Sequence, residues 1–223
     1  MQKFIGIITL GQTPRVDMIP DIKCFLPQNT NIIEKGVLDG KSPYELLQLS
    51  PEKGQTTLIS RLRNGGSAIM AKEKILSIIQ QLIDELIEEG VSLIVIACTG
   101  KFPVFKSSVP IIFPDFLLNQ IMRGVYRDGS IGVIVPLKSQ VQTIINKWEE
   151  GGFRVVTECC SPYDFNEEQL IQVTKRLNHE PIQAIVLDCM GYNDEMKAIV
   201  KRNTLKPVIL SRNMIYKVTF ELI

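Results

Sequence analysis

The sequence contains a single histidine, and that scarcity removes most familiar acid–base constellations. His179 lies in Leu177-Asn178-His179-Glu180-Pro181, a helix exit before a proline, where a C-terminal capping role is natural. It falls at the far end of the following strand from Cys189, so neither a Ser-His-Asp nor a Cys-His pair is expected. No G-x-G-x-x-G, P-loop or H-E-x-x-H is present. Charge of one sign is also in short supply: 25 Lys and Arg stand against 24 Asp and Glu, which leaves no field to draw in nucleic acid or an anionic membrane. The cluster Lys197, Lys201, Arg202, Lys206 reads as the solvated face and end of a helix. No apolar run approaches the roughly 18–20 residues of a membrane span. Residues 4–10 are short and apolar like a signal-peptide core, but they end in Gly11-Gln12-Thr13-Pro14-Arg15 without a small-x-small cleavage site, so a first buried strand is expected. A disulfide framework is missing as well. Five cysteines are odd in number and irregular in spacing, which fits a reducing cytoplasm. Cys159-Cys160 lack the spacing of a zinc site and read as partly buried at a strand end, and Cys24 reads as core. No metal is expected, and proton chemistry is left to cysteine, carboxylate, lysine or tyrosine.

What is present is a duplication. Leu93-Ile94-Val95-Ile96-Ala97-Cys98-Thr99-Gly100 and Ile185-Val186-Leu187-Asp188-Cys189-Met190-Gly191-Tyr192 each close a continuous apolar run with a thiol and a small or glycine-containing turn. Such runs mark strands buried on both faces of a parallel sheet, and open α/β sheets bind ligands at the carboxyl ends of their strands. Phe4-Ile5-Gly6-Ile7-Ile8 answers Ile131-Gly132-Val133-Ile134-Val135, and Val109-Pro110-Ile111-Ile112 answers Lys206-Pro207-Val208-Ile209. Helical stretches at residues 72–89 and 166–179 precede the two cysteine strands. Gly6 to Cys98 spans 92 positions and Gly132 to Cys189 only 57, so the first half carries about 35 extra residues. They fall in residues 36–71, where Thr56 to Ser60 and Ser67 to Met70 flank Arg63-Asn64-Gly65-Gly66, a β-hairpin signal. This excursion suits a flap or a homodimer contact.

The expected fold is α/β: two pseudo-symmetric lobes with parallel four-stranded sheets, plus a β-hairpin insertion in the first lobe. Lobe one is assigned residues 1–114 with the insertion at 36–71, lobe two residues 115–210, and a substrate crevice is expected between them. At 223 residues and 45% hydrophobic content, the chain can fill such cores.

The loop Gly11-Gln12-Thr13-Pro14-Arg15 is a second site candidate. Gly11 permits a sharp strand exit, Thr13 can cap a following helix, and Pro14 suits its first turn. Two readings stand: helix N-terminus and Arg15 hold a carboxylate or phosphate, or the helix is simply capped with Arg15 in solvent. Asp188 also has two readings, since a carboxylate beside Cys189 disfavours thiolate, yet strand alternation points it away, where it can hold the following turn. Asn193 reads either as part of the site or as the cap of a helix over 194–202. Cys98 has no adjacent carboxylate, and a helix starting at its turn would make it the readier thiolate.

Paired cysteines at matching strand ends of two α/β halves resemble the aspartate/glutamate/hydantoin racemase superfamily. Within it, Leu10-Gly11-Gln12-Thr13-Pro14-Arg15, Ile134-Val135-Pro136 and Leu187-Asp188-Cys189-Met190-Gly191-Tyr192 together resemble the AroM family over essentially the full length. The resemblance implies thiols facing a substrate α-carbon, with no cofactor, and a C-terminal helix from about residue 211 to 223 that packs on lobe one, its apolar face carrying Met214, Ile215, Val218 and Leu222. It also implies a link to aromatic amino-acid metabolism. Racemases of the superfamily follow their cysteines with Asn-Thr and Thr-His, whereas here Thr99-Gly100 and Met190-Gly191 follow. The expected catalytic pair is Cys98 and Cys189. The substrate-binding set is Gly11, Gln12, Thr13 and Arg15, then Thr99 and Gly100, then Asp188, Met190, Gly191 and Tyr192. The expected activity is a cofactor-independent racemase or isomerase, or a decarboxylase, on a small carboxylate-containing metabolite. The alternative is a non-catalytic metabolite-binding protein.

Overall fold

A computed structural model of the chain describes residues 3–127 and 129–223. Two compact units emerge. The first takes the residues up to Cys98 with Phe102–Pro114 and Ile215–Ile223, and the second takes Thr99–Lys101 and Asp115–Met214.

The first unit opens with strand β1 (Lys3–Thr9), a short helix α1 (Ile19–Lys23) and strand β2 (Thr30–Gly36). Helix α2 (Pro43–Gln48) and strands β3 (Thr57–Arg61) and β4 (Ser67–Ala71) follow, then helix α3 (Lys72–Glu88), β5 (Leu93–Ile96) and β6 (Ile111–Ile112). The runs of Ile, Leu and Val make β5 buried on both faces, and β1 pairs parallel with both β2 and β5. Helix α3 presents Ile75, Ile79, Ile83 and Leu86 at helical spacing, all fully buried in the core of this unit.

The second unit contains α4 (Pro114–Tyr126), β7 (Ser130–Val135), a 3-10 turn at Lys138–Gln140, α5 (Val141–Glu150) and β8 (Arg154–Cys159). It continues with α6 (Glu167–His179), β9 (Ala184–Leu187), α7 (Asp194–Arg202), β10 (Val208–Leu210) and α8 (Ser211–Glu221), the last running on into the residues grouped with the first unit.

The sheets are ordered β2-β1-β5-β6 and β10-β9-β7-β8. In each, the first strand lies between the second and third, the fourth flanks the third, and every pairing is parallel. The duplication read from the sequence is therefore one topology used twice. Gly6 and Gly132 mark it at atomic scale: a Cβ on Gly6 would lie 2.7 Å from Leu86, and one on Gly132 would lie 2.5 Å from Ile182 and 3.2 Å from Leu177. In both halves, then, a leucine of the helix before the cysteine strand seats on the bare backbone of the first strand.

The excursion holds the expected hairpin as a separate two-stranded sheet, registered from Thr57 opposite Ala71 to Arg61 opposite Ser67. Its turn is closed by Leu62 N–H donating to Gly66 C=O, with Gly65 at φ +87°. The same segment also carries α2, capped by Ser42, whose hydroxyl accepts from Glu45 N while Glu45 returns a carboxylate to Ser42 N.

Four expectations are corrected. No helix begins at Thr13; the first, α1, starts at Ile19, because the amides of Thr13 and Arg15 are taken by side-chain carboxylates. Cys24, at the end of α1, is exposed rather than core. No helix follows Cys98, since residues 97–110 are irregular up to β6. On α8 the buried face is Ser211, Arg212, Ile215, Tyr216 and Thr219, and Leu222 is exposed. His179 ends α6 and is exposed, as its setting implied.

Candidate active site

In the first unit, the loop after β1 is built on side-chain acceptors. Thr13 donates from its N–H and its hydroxyl to the two oxygens of Asp39, at 2.8 and 2.6 Å. Arg15 donates its backbone N–H to Glu34 at 2.8 Å. Its guanidinium is buried and forks onto both oxygens of Asp17, at 2.8 Å each, with further bonds to the Thr9 and Ser60 hydroxyls. Arg15 is thus neither at a helix N-terminus nor in solvent. Burial alone would push the Asp17 carboxyl up, but the hydrogen bonding and charge of Arg15, with Arg61 beyond, hold it below its ordinary value.

The hairpin grips this loop. Gln12 N–H donates to Arg61 C=O at 3.1 Å, Arg63 N–H to the Gln12 side chain at 2.9 Å, and Arg63 Nε to Thr13 C=O at 2.6 Å. Gly11 makes the approach possible, because a Cβ there would lie 2.1 Å from the Arg61 carbonyl oxygen. Cys98 closes β5 two residues beyond its last strand position, half-buried, with its N–H turned back to Ile96 C=O at 2.8 Å.

In the second unit, Asp188 and Cys189 follow the end of β9 and meet different partners. The Asp188 side chain is fully buried, and its Oδ2 accepts from Lys147 Nζ at 2.5 Å and Trp148 Nε1 at 2.8 Å. Lys147 also donates to Thr99 C=O at 3.1 Å, and the Thr99 hydroxyl donates to Asp188 C=O at 3.2 Å. The residue after Cys98 and the residue before Cys189 are therefore both tied to one buried lysine. The Lys147 ammonium thus offsets the charge that Asp188 brings next to Cys189.

Cys189 Sγ accepts from Gly191 N–H at 3.3 Å and lies 3.4 Å from the Tyr163 hydroxyl, a contact that either group can donate. Gly191 also makes room for that tyrosine: a Cβ there would lie 2.9 Å from the Tyr163 ring and hydroxyl. Met190 and Tyr192 are buried, and the Tyr192 hydroxyl donates to Cys160 C=O at 2.6 Å. Burial raises the Tyr192 phenol well above its ordinary value. Asn193 caps α7 by accepting from Met196 N–H at 2.9 Å. Burial raises the Cys159 thiol and, helped by Cys159, pushes Cys160 up to about 11, which disfavours thiolate at both. Among the described residues, which include all five cysteines, there is no disulfide and no cluster of ligands that could hold a metal ion.

Tyr163 and Lys147 were not among the residues singled out from the sequence. Lys147 had a signal, since it shares the buried face of α5 with Ile144 and Trp148, where a lysine requires a partner. Tyr163 had one as well: Ser161-Pro162-Tyr163-Asp164 after β8 answers Ser42-Pro43-Tyr44-Glu45 after β2.

Two parallel four-stranded sheets of one topology give the chain an α/β fold of the aspartate/glutamate racemase type. The chain belongs to the AroM family: the model described as AroM protein matches residues 5–223. Among solved structures it is similar to glutamate racemase from Francisella tularensis subsp. tularensis SCHU S4 in complex with D-glutamate. The TM-score is 0.65 at 18% identity, covering 99% of this chain and 81% of that one. It is similar also to the maleate isomerase Iso from Pseudomonas putida S16, with TM-score 0.63, 12% identity, and 99% and 92% coverage. An arylmalonate decarboxylase variant gives TM-score 0.63, 13% identity, and 98% and 92% coverage. No curated protein matches the sequence.

Proposed function

We propose that this AroM-family chain is a racemase or isomerase, or a decarboxylase, that moves protons at a carbon bearing a carboxylate, with Cys98 and Cys189 as the proton-transferring groups and no cofactor. One observation carries the reading. Cys189 Sγ meets a backbone N–H and a phenol hydroxyl at a strand exit, donors that favour negative charge on sulfur, and Cys98 stands at the corresponding exit of the other sheet. The similar structures, by name, act on or bind glutamate, maleate and arylmalonate, all carboxylates, which supports the substrate class.

In racemisation or isomerisation, one thiolate takes the proton next to the carboxylate, and the C–H electron pair is left on carbon, delocalised into the carboxyl group. The second thiol returns a proton, completing the exchange. In decarboxylation, the C–C bond to a second carboxylate breaks, CO2 leaves, and one thiol protonates the carbanion. Backbone amides of the Thr99-Gly100 turn and of Met190 are the proposed donors to the substrate carboxylate.

Site-resolved alkylation with iodoacetamide tests this. Cys98 and Cys189 should both react at neutral pH, and both should be protected by one small carboxylate drawn from amino acids, hydroxy acids and dicarboxylates. Protection of neither thiol by any of these, with alkylation confined to exposed Cys24, would refute the reading and favour a binding protein.

A further inference from the structure

A cavity of about 180 Å³ lies within the second unit, walled by α4 and by the end of α5. Helix α4 contributes Asp115, Asn119 and Arg123, which recur every four residues and so share one face. The α5 side contributes Lys147, Glu150 and the following Gly151. Asn119 is 7% exposed; its Nδ2 donates to Lys147 C=O at 3.1 Å, while its Oδ1 has no hydrogen-bond partner among the described residues. Asp115 Oδ1, one turn earlier, is buried and likewise has none. Acceptors left unmatched in this way carry an uncompensated loss of hydration, so two of them at one cavity call for a ligand that donates.

We infer that this cavity binds a small zwitterion carrying a primary ammonium and a carboxylate, the chemistry of a free α-amino acid. The ammonium donates to Asp115 Oδ1 and Asn119 Oδ1. The carboxylate is received by the planar guanidinium fork of Arg123, which lines the same cavity. Among the described residues Glu150 is already paired with Lys101, at 2.5 Å, and Lys147 with Asp188, whereas Arg123 has no ion pair. Burial holds the Asp115 carboxyl above its ordinary value against the lowering by the Phe116 backbone N–H and by the charge of Lys147, so a further cation at the carboxylate would be favoured. A space of this size takes several waters or one small amino acid.

The test is calorimetric titration of the full chain with L-alanine, methylammonium and propionate. L-Alanine should bind with millimolar or tighter affinity, and the two half-ligands at least about tenfold more weakly, a difference of about 1.4 kcal/mol. Arg123→Ala, an exposed site that leaves the fold intact, and Asp115→Asn should each weaken L-alanine by about tenfold or more. The double variant Cys98→Ser, Cys189→Ser should bind it unchanged, which separates this site from the proposed catalytic one. Absence of L-alanine binding up to about 10 mM overturns the proposal, leaving the cavity to water. Equal affinity in the Arg123→Ala and Asp115→Asn variants, or loss of binding in the cysteine variant, also overturns it.

Discussion

At Cys189, a backbone amide and a phenol converge on one sulfur, and only a glycine two residues on leaves space for the phenol. Removing the hydroxyl by Tyr163→Phe deletes one hydrogen bond to a developing thiolate, a contribution of about 1.5 kcal/mol. Iodoacetamide should then alkylate Cys189 about tenfold more slowly at pH 7, with Cys98 unchanged. An unchanged Cys189 rate would mean that the phenol does not act on the sulfur. The pair behind it, Lys147 and Asp188, is buried, and breaking such a pair costs about 3–5 kcal/mol. Urea unfolding of Lys147→Met should show a loss of that order, partly recovered when Asp188→Asn is added, because the neutral amide no longer needs a counter-charge but still accepts from Trp148. Simple additivity of the two losses would contradict the pairing. Asp17 gives the pH dependence. Its carboxyl titrates lower when folded than when unfolded, so its contribution is present above the ordinary carboxylate range, near pH 4, and is lost as pH falls through the lowered folded value. Asp17→Asn should therefore be less stable than wild type at pH 7, with the gap in melting temperature closing toward pH 2.

At the scale of elements, the hairpin serves as a clamp, since β3 and its turn hold the loop after β1 through Arg61, Ser60 and Arg63. Gly11→Ala would drive a methyl into the Arg61 carbonyl, and relief by backbone shift should cost about 1–3 kcal/mol. Hydrogen exchange should show lost protection at Gln12 and through the hairpin, with β7 and β9 unaffected. The strands and the hairpin were legible in the sequence because uninterrupted Ile and Val runs and an Asn-Gly-Gly turn carry their signals locally. The conformation of the Gly11 to Arg15 loop was not. Its sequence has every local mark of a capped helix, and what overrides them are carboxylates far along the chain, Asp39 and Glu34, that take the same amides. The absent helix after Cys98 is a related case, since a short apolar strand followed by Thr-Gly does not reveal how long the next loop will be. The partner of Asp188 was hidden for the same reason: Lys147 lies 41 residues away.

Over the whole molecule, one four-strand topology is used twice, and about 35 residues separate the halves in length. The duplication could be read from sequence because each half repeats the same order of apolar runs, and the two cysteines fell at the same step of it. Which side chains contact those sulfurs could not, since the Ser-Pro-Tyr that carries Tyr163 recurs at residues 42–44 and repetition alone does not show which tyrosine reaches a thiol. The central claim is that these two thiols move protons at carbon, and transfer of solvent deuterium tests it most directly. In D2O, wild type should place deuterium beside the carboxylate of at least one member of a panel of amino acids, hydroxy acids and dicarboxylates. Cys98→Ser and Cys189→Ser, both folded, should each lose about 10²–10⁴-fold of that rate. Binding of panel members without deuterium incorporation by wild type, or full incorporation in both serine variants, would contradict it.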